Sequence, residues 1–159
     1  MSTIGTERTH TWIRWIIRQD MPRILEIERS CYFDAWSEEE FLNALRKSNT
    51  IGMAIEFRGV IAGYMLYELN RRTVKLINLA VDPSFRRIGI GTQLIDKLKS
   101  KLYGHREMID ATVPERNVDA QLFFRSQGFR CVHTMKDMFT NGDDGYYFIH
   151  WKDGDCYGA

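Results

Sequence analysis

The apolar and polar positions of this chain change period along its length. Trp12, Arg14, Ile16 and Arg18 alternate with Ile13, Trp15 and Ile17, the mixed pattern of a first strand. Asp20 stands where a helix cap is expected, and Ile24, Leu25 and Ile27 give the following helix a buried stripe. Ser37 with Glu40 three residues on is a capping-box signature that opens a second helix through Phe41, Leu42 and Leu45. Residues 50–57 and 60–69 are apolar runs separated by Arg58-Gly59, and Asn70-Arg71-Arg72 leads to a third run over 73–81, so an antiparallel meander is predicted.

After the meander the period becomes helical, with apolar residues at Ile90, Leu94, Ile95, Leu98 and Leu102 and Gly104 where a helix stop is expected near Tyr103. Residues 107–113 read as a short strand ended by Pro114, and 117–127 as a helix closed by Gly128. Two strands complete the chain, near 129–138 and 145–151, with the turn Asn141-Gly142-Asp143-Asp144-Gly145 between them. The predicted order is therefore β-α-α-β-β-β-α-β-α-β-β, a mixed α/β chain of the α+β class.

Composition narrows the partners. The 159 residues, 44% hydrophobic and 27% charged, suit one globular domain over residues 11–152, with 1–10 read as a flexible lead and 153–159 as a tail. Lys and Arg number 22 against 21 Asp and Glu, so no single-sign field favours nucleic acid or an anionic membrane. Cys31, Cys131 and Cys156 are odd in number and form no C-x-x-C pair, which argues against a disulfide framework and a zinc site and for a cytoplasmic protein. No apolar run approaches the ~20 residues that span a bilayer, and the polar start does not read as a signal peptide.

The chemistry-bearing stretch is Arg86-Arg87-Ile88-Gly89-Ile90-Gly91-Thr92, between a strand and a helix. Backbone amides of Gly89, Ile90 and Gly91 would lie at the positive end of that helix, with no glycine side chain to keep an anion away. Arg86 and Arg87 add cationic donors and Thr92 a hydroxyl, a set that suits a diphosphate better than a carboxylate. A bare G-x-G would equally serve as a turn that starts a helix beneath two solvated arginines. The spacings of a dinucleotide fold and of a phosphate-binding P-loop are both absent.

With Arg86, Gly89 and Gly91 the chain meets the pattern [QR]-x-x-G-x-[GA] and so resembles the GNAT superfamily of N-acetyltransferases. Residues 77–83 (Ile-Asn-Leu-Ala-Val-Asp-Pro), Ile27-Glu28-Arg29 with Ala35-Trp36-Ser37-Glu38, and Asn117 with Gly128-Phe129 are similar to the RimI-type ribosomal-protein-alanine N-acetyltransferases. The resemblance covers roughly residues 12–151. It implies a mostly antiparallel central sheet split in a V where the strand ending at Val81 parts from that at 107–113, with acetyl-CoA as cosubstrate and no metal. It further implies that Leu79 and Val81 hold the pantetheine arm through their backbones, that Arg86 to Thr92 hold the pyrophosphate, and that Asn117 and Phe124 complete the cofactor site. The acceptor implied is a protein N-terminal α-amine, with a small-molecule amine, a lysine, or a non-catalytic acyl-CoA-binding module as alternatives.

Two positions depart from that family's pattern. Its catalytic glutamate falls on Thr112 and its acid tyrosine on Phe124, and neither side chain moves a proton at neutral pH. Asp110 is two residues before Thr112, on the same strand face, and is the first substitute base, or else a solvated strand-edge carboxylate. Glu28 is the second, or a surface partner of Arg29 or Arg23. Tyr146, with Tyr147 beside it, is a candidate acid or a packing residue, and His133 and His150 are weaker candidates. Trp36 and Phe33 are open to two roles, shaping a peptide pocket or filling the core.

Overall fold

The computed structural model describes residues 10–154. The lead before His10, the last five residues and Cys156 lie outside the described residues. Seven strands form one sheet: β1 (Thr11–Trp15), β2 (Thr50–Phe57), β3 (Val60–Leu69), β4 (Thr73–Val81), β5 (Met108–Pro114), β6 (Arg130–Met135) and β7 (Gly145–Trp151). Their order across the sheet is β1-β2-β3-β4-β5-β7-β6. Four helices accompany them: α1 (Met21–Cys31), α2 (Glu38–Leu45), α3 (Ile90–Lys99) and α4 (Val118–Ser126). The fold is thus a mixed α/β one in which the parallel pairing is that of β4 with β5, where α3 makes the crossover.

Local chemistry explains the elements. The β2–β3 turn places Arg58 and Gly59 at φ 52° and 82°, both left-handed, as a two-residue type I′ hairpin requires. The Ser37 side chain accepts from the Glu40 amide at 3.2 Å, capping α2 as its sequence predicts. Asp20 departs from expectation. It occupies the N-cap position of α1, but its carboxylate turns back to accept from the Ile17 amide at 2.8 Å and from Arg14 at 2.7 and 2.9 Å. Those bonds hold the Asp20 carboxyl below the usual carboxylate range, through Arg14 first. Helix α3 ends at Lys99 rather than near Tyr103, because Lys101 and Leu102 donate three residues back and tighten the chain while keeping Leu102 buried.

The residues divide into two compact units, one up to Tyr67 together with Asn78–Leu94, the other Glu68–Ile77 together with the chain from Ile95. In the first, Ile24, Ile27, Phe41, Ile55 and Leu66 are fully buried, and the Trp36, Phe41 and Tyr64 rings stack edge-on at 5.1 and 5.6 Å. In the second, the Phe124 ring packs 5.2 Å from Phe129 and 6.1 Å from Phe148, covering one face of β5 and β7. The β4–β5 ladder runs from Thr73↔Met108 to Leu76↔Ala111 and stops there, although β4 continues to Val81 and β5 to Pro114.

Within the first unit, a Cβ at Gly63 would lie 2.7 Å from the Ala80 carbonyl oxygen, a backbone atom that cannot swing aside. Gly63→Ala is therefore expected to cost about 1–3 kcal/mol, read as a lower urea midpoint with an unchanged slope.

Candidate functional site

The end of β4 leaves backbone groups exposed to partners in the first unit. The Asp82 amide donates to the Ala62 carbonyl at 2.8 Å, so by strand alternation Leu79 and Val81 direct their backbone groups to the opposite edge, the one without a ladder beyond Leu76. Side chains meet the carbonyls there. Tyr32 Oη donates to the Leu79 carbonyl, Cys31 Sγ lies 3.3 Å from the Val81 carbonyl, and Arg86 Nε donates to that same oxygen at 3.3 Å. Arg86 also reaches Cys31 Sγ at 3.4 Å, so the first arginine of the motif is folded against the strand end. Burial, with Glu28 nearby, pushes the Tyr32 hydroxyl well above its ordinary range and keeps it a donor.

A short helical turn leads from β4 into the glycine stretch. Asp82 accepts from the Ser84 amide at 2.8 Å and from Arg23 of α1, and these bonds outweigh its burial to hold its carboxyl low. Arg87 then adopts φ 66° and Gly89 φ 86°. Left-handed residues at 87 and 89, with Ile88 between them, make the kind of turn in which neighbouring backbone N–H groups can face one anion. The Ile90 side chain is buried, so only its amide can serve a ligand, whereas a Cβ built at Gly89 meets nothing within 4 Å. The first N–H groups of α3 begin at this point without partners in their own helix. Open space, turned amides and two guanidinium groups fit a diphosphate.

Glu28 lies elsewhere than its sequence suggested. It is 1% exposed rather than a surface partner of Arg23 or Arg29, and three donors converge on it. Tyr64 Oη and Asn78 Nδ2 reach one carboxylate oxygen, the latter at 3.1 Å, and the Trp36 amide reaches the other at 3.1 Å. The carboxylate thus ties α1 to β3, β4 and the α1–α2 connection. Three of its roughly four acceptor sites are taken by these donors, which fix the side chain in place. Phe33 on that connection is fully exposed, while Trp36 packs on Phe41.

In the second unit Asp110 is 8% exposed on the sheet's interior strand β5, not a solvated edge carboxylate. Burial raises its carboxyl above the usual range, and a hydrogen bond from Tyr147 and the charge of Lys75 oppose the rise. Tyr147, its hydroxyl pushed up to about 12 by burial and by Asp110, lies opposite Thr112 in the register and so shares its face with Asp110. Tyr146 lies opposite Val113, on the other face, so Tyr146 and Asp110 cannot serve one site on the sheet. Asn117 caps α4, accepting from the Ala120 amide at 3.1 Å. Phe124, expected at the cofactor, is buried among the aromatic rings of this unit. His150 packs on Phe129 and donates from Nδ1 to the Gly128 carbonyl at 3.1 Å, and burial lowers its pKa. Among the described residues no group of three or more His, Cys, Asp and Glu side chains could hold a metal, and no helix is long and apolar enough to cross a membrane.

Two tyrosines escaped the sequence reading. Tyr32 and Tyr64 sit in apolar runs where a tyrosine ordinarily signals packing, and only the fold reveals what their hydroxyls reach.

The model of the acetyltransferase (GNAT) family matches residues 21–129, and the chain belongs to that family. It is an acetyl-CoA-dependent N-acetyltransferase. The [ribosomal protein bS18]-alanine N-acetyltransferase of Haemophilus ducreyi is 26% identical over 132 residues, covering 82% of this chain and 90% of that protein. The crystal structure of the ribosomal-protein-S18-alanine N-acetyltransferase from Escherichia coli superposes with a TM-score of 0.78 at 22% identity, over 89% of this chain and 93% of that one. Arabidopsis thaliana NAA60 in complex with acetyl-CoA gives 0.76 at 18% identity, over 89% and 99%.

Two substitutions probe these elements. Glu28→Ala leaves the Tyr64 hydroxyl, the Asn78 amide and the Trp36 N–H without their acceptor and is expected to lower stability by about 3 kcal/mol or more. Glu28→Gln keeps one acceptor oxygen and costs less, and chemical denaturation of both variants separates the two. Gly89→Val forces a β-branched side chain into φ 86° and into the open space above the loop. Calorimetric titration with CoA is expected to show at least a hundredfold weaker binding for this variant, and unchanged affinity would show that the loop is not the cofactor's seat.

Proposed function

We propose that the enzyme transfers the acetyl group of acetyl-CoA to the N-terminal α-amine of a protein, a ribosomal-protein-like substrate among the candidates. The observation that supports it most is the glycine stretch at the start of α3, where Arg86, Arg87 and the turned amides suit the pyrophosphate and the free edge of β4 at Leu79 and Val81 suits the pantetheine amides. Acetyl-CoA, when bound, supplies an activated acetyl group. Arg86 is expected to move from the Val81 carbonyl and Cys31 to the diphosphate, and the Thr92 hydroxyl and the Gly91 amide to add donors. Asn117 contributes by fixing the start of α4.

The acceptor follows from what the chain lacks at Thr112 and Phe124. An α-amine with a pKa near ~8 is about one fifth neutral near pH ~7.4, whereas a lysine near ~10.4 is about a thousandth neutral. General acid and base groups are typically worth ~10²- to 10⁴-fold. An enzyme with neither glutamate nor tyrosine at the family's positions is therefore better matched to an α-amine than to a lysine. The similarity in sequence to an enzyme named for alanine acetylation on a ribosomal protein points the same way.

The test is release of CoA thiol by the purified protein from acetyl-CoA across peptides with free N-termini, including alanine, beside lysine side chains and small amines. Turnover on α-amine peptides at least tenfold above that on lysine is expected. Preference for a small amine would move the substrate class, and silence across the panel with intact CoA binding would overturn the α-amine reading.

A further inference from the structure

One face of the second unit carries a row of ionisable groups on neighbouring strands. Lys75 of β4 pairs with Asp110 of β5, Tyr147 of β7 lies diagonally across from Asp110 and hydrogen-bonds to it, and His133 of β6 lies opposite Tyr147 with the rings 4.9 Å apart. Glu68 of β3 adds a second negative charge that acts on Asp110. The opposite face carries the Phe148 ring with Phe124 and Phe129 packed on it, together with His150 and Tyr146. Met138 borders the face at Thr112 and Gly145, where a Cβ on Gly145 would meet its sulfur at 2.6 Å and Thr112 Cγ2 at 2.9 Å. That leaves a buried carboxylate in a mixed polar row beside an apolar wall.

We infer that Asp110, positioned by Tyr147, binds the primary ammonium of the acceptor and takes one of its protons, with Met138 and Thr112 receiving the apolar part that carries the amine. The inference rests on the acceptor being a primary amine. Two of the buried carboxylates, Glu28 and Asp110, make the contrast. Glu28 is committed to three donors from three other elements, whereas Asp110 is held by the Tyr147 hydroxyl and its own backbone amide, and the neighbouring cation, Lys75, is exposed. An ammonium brings the charge and the N–H donors that such a carboxylate favours. In the proton step one N–H bond breaks and one O–H bond forms, the ammonium becomes a neutral amine holding its lone pair, and the carboxylate becomes a carboxylic acid that later returns the proton to solvent. The upward shift of Asp110 keeps it closer to the protonation balance such a step needs.

The sign of the pH dependence follows from the groups around Asp110, namely Glu68, Lys75 and Tyr147, with His133 stacked on Tyr147. Amine binding requires the ionised carboxylate, so affinity falls as pH drops through the raised pKa. Tyr147 donates to the ionised form and lowers that pKa, so Tyr147→Phe moves the acid limb to higher pH.

The test titrates the full-length protein, with CoA present, against a six-residue peptide bearing a free N-terminal alanine and against its N-acetylated twin, from pH ~5 to ~8. Wild type is expected to prefer the free amine. Asp110→Asn is expected to weaken that binding about tenfold or more and abolish the preference, while Tyr147→Phe shifts the acid limb upward. Equal affinity of wild type for the two peptides, or a preference retained in Asp110→Asn, overturns the inference. Selective binding lost in Asp110→Asn without any thiol release would leave the inference standing and remove the α-amine acetylation reading. Thiol release with amine binding unchanged in both variants would do the reverse.

Discussion

The first unit is organised around a strand edge that no other strand covers. Beyond Leu76, β4 leaves the backbone groups of Leu79 and Val81 on a side without a ladder, in the middle of the sheet's strand order. Buried backbone groups need partners, and an open edge is a template for any chain that can supply them. The protein meets the carbonyls with side chains from one short stretch, Tyr32 and Cys31 at the end of α1, and with Arg86 from the loop that follows. Where α1 ends is therefore part of how the edge is finished. Glu28, one turn earlier, fixes that end by accepting from β3, β4 and the backbone of Trp36.

Glu28 and Asp110, both buried, differ in environment rather than in chemical type. Removing a charge from water is tolerated when donors replace the lost hydration, and Glu28 shows that case. Asp110 shows the other, with burial outweighing the Tyr147 hydroxyl and the Lys75 charge, so that its carboxyl is driven up. A fully satisfied carboxylate specifies a structure, and an under-satisfied one is available for chemistry.

Much of the fold was legible because local chemistry and global pairing agree. Arg58-Gly59 marks its hairpin, Ser37 and Glu40 mark their helix start, and the strands of the meander fall where their apolar runs do. Disagreement arose where a side chain's partner is remote in sequence. Asp20 reads as a cap, but Arg14 and the Ile17 amide take its carboxylate. Glu28 sits next to an arginine in the sequence and so resembles half of a surface ion pair, while its donors come from 8, 36 and 50 residues away. Tyr146 and Tyr147 are indistinguishable in composition and context. Only the β5–β7 register, which puts Tyr147 opposite Thr112, assigns one to the polar face and one to the apolar face. The glycine stretch at 86–92 was recognisable as a candidate for the opposite reason, since its glycines and arginines are contiguous in the sequence.

Arg87 shows what that contiguity costs. A side chain at φ 66° is held in a region that non-glycine residues enter rarely, at a cost on the order of 1 kcal/mol. Glycine would adopt the same angle without strain, as Gly89 does two residues later at φ 86°. The difference between them is the guanidinium. At position 89 the space beside the backbone is open, whereas at 87 the same turn also carries a charge, which glycine cannot supply. A structural turn that merely started α3 would favour glycine at both positions. Strain retained at the charged position, with free space beside the uncharged one, is what the proposed binding of a diphosphate at this loop would account for.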